Sequence, residues 1–168
     1  GRGGSTIPGG YILPRLVGAF IHAHPGVTLS LDIGDTEAIV SKIIGGAIEL
    51  GIIGALSRDK HIRQEKWLTD TLALIIPPDH PWGGRRSVDL ETLRSEPFIS
   101  RETGSGTLAS LQSILARVGF AVEDLRVVAE MGATQAIIQG IKSGVGVSIL
   151  SRMAVGDEIQ AGKLKALD

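Results

Sequence analysis

The stretch Pro97-Phe98-Ile99-Ser100-Arg101-Glu102-Thr103-Gly104-Ser105-Gly106-Thr107 runs from an apolar strand, Phe98-Ile99-Ser100, through glycine and hydroxyl residues into a helix. That helix carries Leu108, Leu111, Leu115 and Val118 at helical spacing and stops at Gly119. A strand-turn-helix of this composition is how a protein builds an anion cradle. N–H groups exposed at a helix N-terminus attract negative charge, glycines admit a ligand to the backbone, and Ser and Thr hydroxyls add directional hydrogen bonds.

The same grammar extends on both sides. Toward the C-terminus, a strand at 126–130 leads through Met131-Gly132-Ala133-Thr134 into a helix with Ile137, Ile138 and Ile141, and a buried strand occupies 146–150. Toward the N-terminus lie a short helix at 90–94, the breaker run Pro77-Pro78-Asp79-His80-Pro81 and the apolar strand end Leu72-Ala73-Leu74-Ile75-Ile76. A first crossover is placed at the breaker run. Before the polar segment 57–66, the alternating Leu29, Leu31 and Ile33 read as a strand. Ile39, Val40, Ile43 and Ile44 follow on a helix that Asp35 or Thr36 caps and Gly45-Gly46 ends, and 50–53 reads as another buried strand. Alternating strands and helices predict an α/β fold with largely parallel sheets.

A second cradle opens the chain: Gly3-Gly4-Ser5-Thr6-Ile7-Pro8-Gly9-Gly10 precedes a helix with Ile12, Leu13, Leu16, Val17, Phe20 and Ile21 on one face. If each half forms its own sheet, the two cradles become two walls of one cleft holding a small anion. Each feature has a plainer reading. Ser5 and Thr6 can simply cap a helix, Gly104 to Thr107 can be a turn needing positive φ, and Thr134 can be an N-cap. Arg101 can pair with an oxyanion and Glu102 with an ammonium, or the two can form a solvated ion pair. The stripe through Val40 and Ile44 fits either core or a dimer surface.

Composition removes several chemistries. With 17 basic and 18 acidic residues there is no broad field for a polyanion, and the absence of cysteine excludes disulfides, thiolate metal sites and thiol catalysis. No apolar run reaches the ~20 residues of a membrane span, and no charged n-region followed by an apolar h-region marks a signal peptide in these residues. The Gly-Lys-Ser/Thr ending of a P-loop is missing, and Gly-x-Ser-x-Gly does not match around Ser105. His22-Ala23-His24 lacks a third ligand, and none of the four histidines sits in a cradle. No catalytic residue, metal site or cofactor is expected. The start, Gly1-Arg2-Gly3-Gly4, lacks the apolar strand expected ahead of such a helix, so an excised domain is expected.

Taken together in order and spacing, several segments resemble the effector-binding domain of LysR-type transcriptional regulators. They are Ser5 to Pro14, Pro25 to Leu29, Gly46 to Gly54, Pro77 to Pro81, Pro97 to Thr107 and Gly140 to Leu150. The resemblance implies a type 2 periplasmic-binding-protein-like fold of two Rossmann-like α/β subdomains joined by a crossover hinge. Residues 1–76 with 151–168 would form subdomain I, with its first strand and C-terminal return missing, and 77–150 subdomain II. It further implies a small metabolite or oxyanion inducer in the cleft, held by Ser5, Thr6, Ile7, Ser100, Arg101, Glu102, Thr103 and Thr134. The start is similar to members linked to sulfur or selenium metabolism, which points to an inorganic oxyanion or an amino-acid-like ligand. The resemblance also implies a homodimer, a tetrameric parent, a cytoplasmic location, and DNA contact only through an N-terminal winged helix-turn-helix that this chain lacks. A solute-binding protein feeding a transporter, or an enzyme on the same scaffold, is the rival reading.

Overall fold

The computed structural model describes residues 2–4, 13–54 and 56–168. The chain divides into two compact units, Gly1–Thr69 and Asp70–Asp168.

In the first unit, β1 (Arg2–Gly4) lies between β2 (Leu31–Ile33) and β3 (Leu50–Ile52) in a parallel sheet. A strand therefore does precede the first helix, contrary to the expectation that it was missing. Ladder pairing needs only extended backbone with N–H and C=O groups to share, and glycines supply both without the apolar signature. Helix α1 (Leu13–Ala23) buries Leu13 and leaves Leu16, Phe20 and Ile21 exposed. Asp35 caps α2 (Thr36–Ile44), its Oδ1 accepting from the Ala38 N–H at 2.7 Å. On this helix Val40 is buried core, whereas Ile44 is exposed.

The second unit is centred on β4 (Leu72–Ile76), flanked on both sides by the antiparallel β7 (Ser148–Ser151) and β8 (Lys165–Leu167). β5 (Phe98–Arg101) pairs in parallel with β6 (Val127–Met131), and a parallel bridge from Phe98 to Val147 joins β5 to the start of β7. The antiparallel ladders depart from the parallel sheets expected. β7 and β8 run the same way and are joined through α6 (Gly156–Gln160), so this crossover straddles a strand from far earlier in the chain. Nothing local in Leu72–Ile76 records that direction.

This packing also redraws the expected division of the chain. Residues 70–76 and 151–168 belong to the second unit, because Ala73, Ile75, Leu150, Val155 and Leu164 share one core cluster while Leu74, Ile76 and Leu167 enter the other. The breaker run is a turn inside that unit, where the His80 N–H donates to the Pro77 carbonyl at 3.2 Å and Trp82 is buried.

Strand alternation on β5 organises the core around the site. Phe98 packs with Leu108, Leu111 and Leu115 of α4 (Gly106–Ala116), and Ile99 packs with Ile137, Ile138 and Ile141 of α5 (Thr134–Lys142). All four residues of β5 are buried. A short helix, α3 (Leu90–Arg94), precedes this strand and is capped by Asp89.

Gly146 sits where backbone passes backbone. A Cβ there would lie 2.6 Å from the Pro97 carbonyl oxygen, the atom that accepts from the Val147 N–H at 2.9 Å. Gly146→Ala must push the β5 and β7 segments apart and is expected to cost about 1–3 kcal/mol. The check is a lower urea midpoint at unchanged slope; an unaltered midpoint would contradict the close approach.

Candidate functional site

Both α4 and α5 begin at the carboxyl ends of the parallel strands that precede them, β5 and β6. After Arg101 the chain turns through Glu102-Thr103-Gly104, with Gly104 at φ +93°, a conformation that only glycine adopts readily. The Ser105 N–H closes the turn on the Glu102 carbonyl at 3.2 Å. The Ser105 hydroxyl then accepts from the Leu108 N–H at 3.4 Å and caps α4. Gly106 and Thr107, the first two residues of the helix, have no intrahelical partner for their N–H groups. The tight turn and the exposed donors are therefore one structure.

Arg101 anchors the other side. Its side chain is 8% exposed, and its Nε and Nη2 donate to Oε2 and Oε1 of Glu102 at 2.9 and 3.0 Å. Nη1 donates to the Thr134 hydroxyl at 3.0 Å. The hydrogen-bonded Arg101 guanidinium holds the Glu102 carboxyl below the usual carboxylate range, favouring its charged form. Thr134 is buried and is the first helical residue, with Ala133 at the cap position and no side-chain cap bond. Its hydroxyl accepts from Arg101 where an N-cap role was the alternative, so one guanidinium ties the end of β5 to the start of α5.

Ser100, also buried, faces the α4 side. Its hydroxyl donates to the Arg101 carbonyl at 3.2 Å. With Thr107, Leu108, Leu111 and Ser148 it borders a cavity of about 10 Å³, room for roughly one water. Thr103 is exposed at the tip of the turn. Of the residues expected in the site, Arg101, Glu102 and Thr134 are brought into direct contact, Ser100 faces the α4 side, and Thr103 is exposed. Ser5, Thr6 and Ile7 lie outside the described residues.

Two contributors were not singled out from sequence. Ser148 donates to the Ile99 carbonyl at 2.6 Å and holds β5 to β7; its signal was a lone hydroxyl in an apolar strand, which must find a partner when buried. Gly132 passes beside Glu102, where a Cβ would stand 3.9 Å from Oε2.

In the free protein the Arg101 and Glu102 charges cancel, which leaves the Gly106 and Thr107 N–H groups at the start of α4, a helix end equivalent to about half a positive charge, as the standing attraction for an anion. Elsewhere in the second unit, a cavity of about 460 Å³ runs along β8, lined by Arg85, Arg152, Leu164 and Lys165 among others. Two of its cations are engaged: Arg152 with the Asp168 carboxylate and Lys165 with the Gly83 carbonyl. Among the described residues, no group of three His, Asp or Glu side chains is arranged to hold a metal, and no helix is long and apolar enough to cross a membrane.

Comparison with known proteins adds the following. The family model described as LysR substrate binding domain matches residues 3–168. The chain is 34% identical, over 98% of its length, to a protein of Anaeromyxobacter dehalogenans named phosphonates import ATP-binding protein PhnC, of which it covers 33%. It is 31% identical, over 94% of its length, to the RuBisCO operon transcriptional regulator of Allochromatium vinosum, of which it covers 51%. The regulatory domain of Synechocystis PCC6803 CcmR, solved in complex with 2-PG, superposes with a TM-score of 0.85 at 31% identity, covering 99% of this chain and 79% of that one. The chain thus spans from a third to about half the length of these two curated relatives.

Proposed function

This chain belongs to the LysR substrate binding domain family, and from that premise we propose that it is the effector-sensing part of a transcriptional regulator, binding a small anionic metabolite or oxyanion. The observation that carries the reading is the meeting of two helix starts at the ends of β5 and β6, held by the Arg101–Glu102–Thr134 bonds. Such a site offers fixed donors, and its one carboxylate is tied to a guanidinium, which suits binding better than proton transfer. CcmR, similar over nearly the whole chain, was solved with a small molecule bound. The resemblance carries the remaining proposals: further ligand contacts at Ser5, Thr6 and Ile7, a homodimer within a tetrameric cytoplasmic regulator, and DNA contact through a separate winged helix-turn-helix. Binding would bias the conformations of that regulator by its differential affinity for them.

A thermal-shift screen with 2-PG, sulfate, phosphate, thiosulfate, acetylserine and small carboxylates tests the reading. A ligand at ~100 times its dissociation constant stabilises by ~2.7 kcal/mol, which for a chain of this size raises the melting temperature by roughly 5–10 °C. Thr103→Val is expected to reduce that gain while leaving the melting temperature of the free protein unchanged. A panel without any shift would contradict the proposal, and an equal gain in the variant would remove Thr103 from the site.

A further inference from the structure

We infer that Glu102 is a built-in competitor for the effector: its carboxylate holds the edge of Arg101 that the oxygens of an anionic effector take over on binding. The inference rests on the reading above and goes beyond it by naming the exchange and the ligand class it selects.

The contact is a side-on fork, with Nε and Nη2 of Arg101 each donating to a different Glu102 oxygen at 2.9 and 3.0 Å. This is the geometry by which arginine recognises a carboxylate or phosphoryl group on a separate molecule. The two partners differ in how firmly they are held. Arg101 is 8% exposed, ends a buried strand and keeps a third bond, from Nη1 to Thr134. Glu102 stands on the turn beyond the strand, 38% exposed, and besides the fork its carboxylate is held only by its own backbone N–H among the described residues. The carboxylate is therefore the group that can leave and be rehydrated, while Thr134 keeps the guanidinium aimed. Gly132 puts no Cβ of its own beside the carboxylate, where one would stand 3.9 Å from Oε2.

Charge decides which ligands can make the exchange. Stripping a buried guanidinium of its counter-ion is strongly unfavourable, so Glu102 departs only when another anion replaces it. Carboxylates and phosphoryl groups satisfy that condition, and a neutral polyol or an amine does not.

Titration calorimetry with 2-PG and with inorganic phosphate, on wild type and Glu102→Gln, tests the exchange. The neutral amide competes less well for the guanidinium, so the variant should bind the anion about tenfold more tightly, the worth of one charge-assisted hydrogen bond. Without anion it should melt at a lower temperature, and anion should raise its melting temperature by more than that of wild type. Glu102→Ala should behave the same way. A merely structural carboxylate would lower the melting temperature without tightening binding. Wild-type binding that both variants leave unchanged or weaken overturns this inference alone; absence of binding by all three proteins overturns it together with the reading beneath it.

Discussion

Phe98→Ala is expected to destabilise the second unit by about 3–5 kcal/mol, the cost of emptying a large aromatic from a packed core. Phe98 is 1% exposed and is the first residue of β5, packed against Leu108, Leu111 and Leu115 of α4 on one face of the sheet. Its backbone also pairs with Val127 of β6 and bridges Val147 beside β7. Relaxation around an alanine would draw in α4, whose first turn carries the candidate donors, so effector binding should weaken along with stability. At roughly 2–4 °C per kcal/mol, the melting temperature should fall by about 10 °C. A fall of 2 °C or less would show that this ring is not at the centre of the packing.

Arg101→Ala is expected to weaken binding of the anionic effector by about 100-fold or more. In the complex it removes the fork that the effector's oxygens take over from Glu102, two charge-assisted hydrogen bonds worth about 1.5–3 kcal/mol each, and it leaves the Glu102 carboxylate, now without the guanidinium, beside the place the ligand's own negative charge must occupy. The stability loss should be smaller than for Phe98→Ala, because the half-buried carboxylate can rehydrate and the Thr134 hydroxyl loses only a donor. Arg101→Lys restores charge without the planar fork and should recover only part of the affinity. Calorimetry decides the matter: an Arg101→Ala variant within threefold of wild type would exclude the guanidinium from recognition.

The α/β alternation and the strand-turn-helix at Phe98 to Thr107 were legible in the residues, because apolar periodicity and glycine placement are local properties; the family was legible only through the resemblance carried by a series of segments in order and spacing. Local signals also narrow the cap of α2 to Asp35 or Thr36, and it is Asp35. Where the reading and the structure part, the cause is an interaction with a distant partner. Thr134 before an apolar helix has the look of a cap, yet Arg101, 33 residues earlier, claims its hydroxyl. The run Pro77 to Pro81 has the look of a boundary, yet Leu164 and Leu167, more than 80 residues on, pack with the strand before it. Arg2–Gly4 carries no apolar side chain, and only its backbone pairing with β2 and β3 makes it a strand. The Arg101–Glu102 fork lies between adjacent residues, but sequence alone left it as one of several outcomes for two neighbouring charges; burial of the guanidinium is what sets it apart from a solvated pair.

The most direct test of an effector site at the ends of β5 and β6 is a titration of the isotope-labelled chain with 2-PG, following the backbone amides by nuclear magnetic resonance. In the second unit, the account predicts that the largest shifts fall on Gly104, Gly106 and Thr107 at the start of α4 and on Thr134 and Gln135 at the start of α5. Shifts confined to the cavity along β8, at Gly162, Lys165 and Ala166, would contradict it, as would a spectrum that does not change.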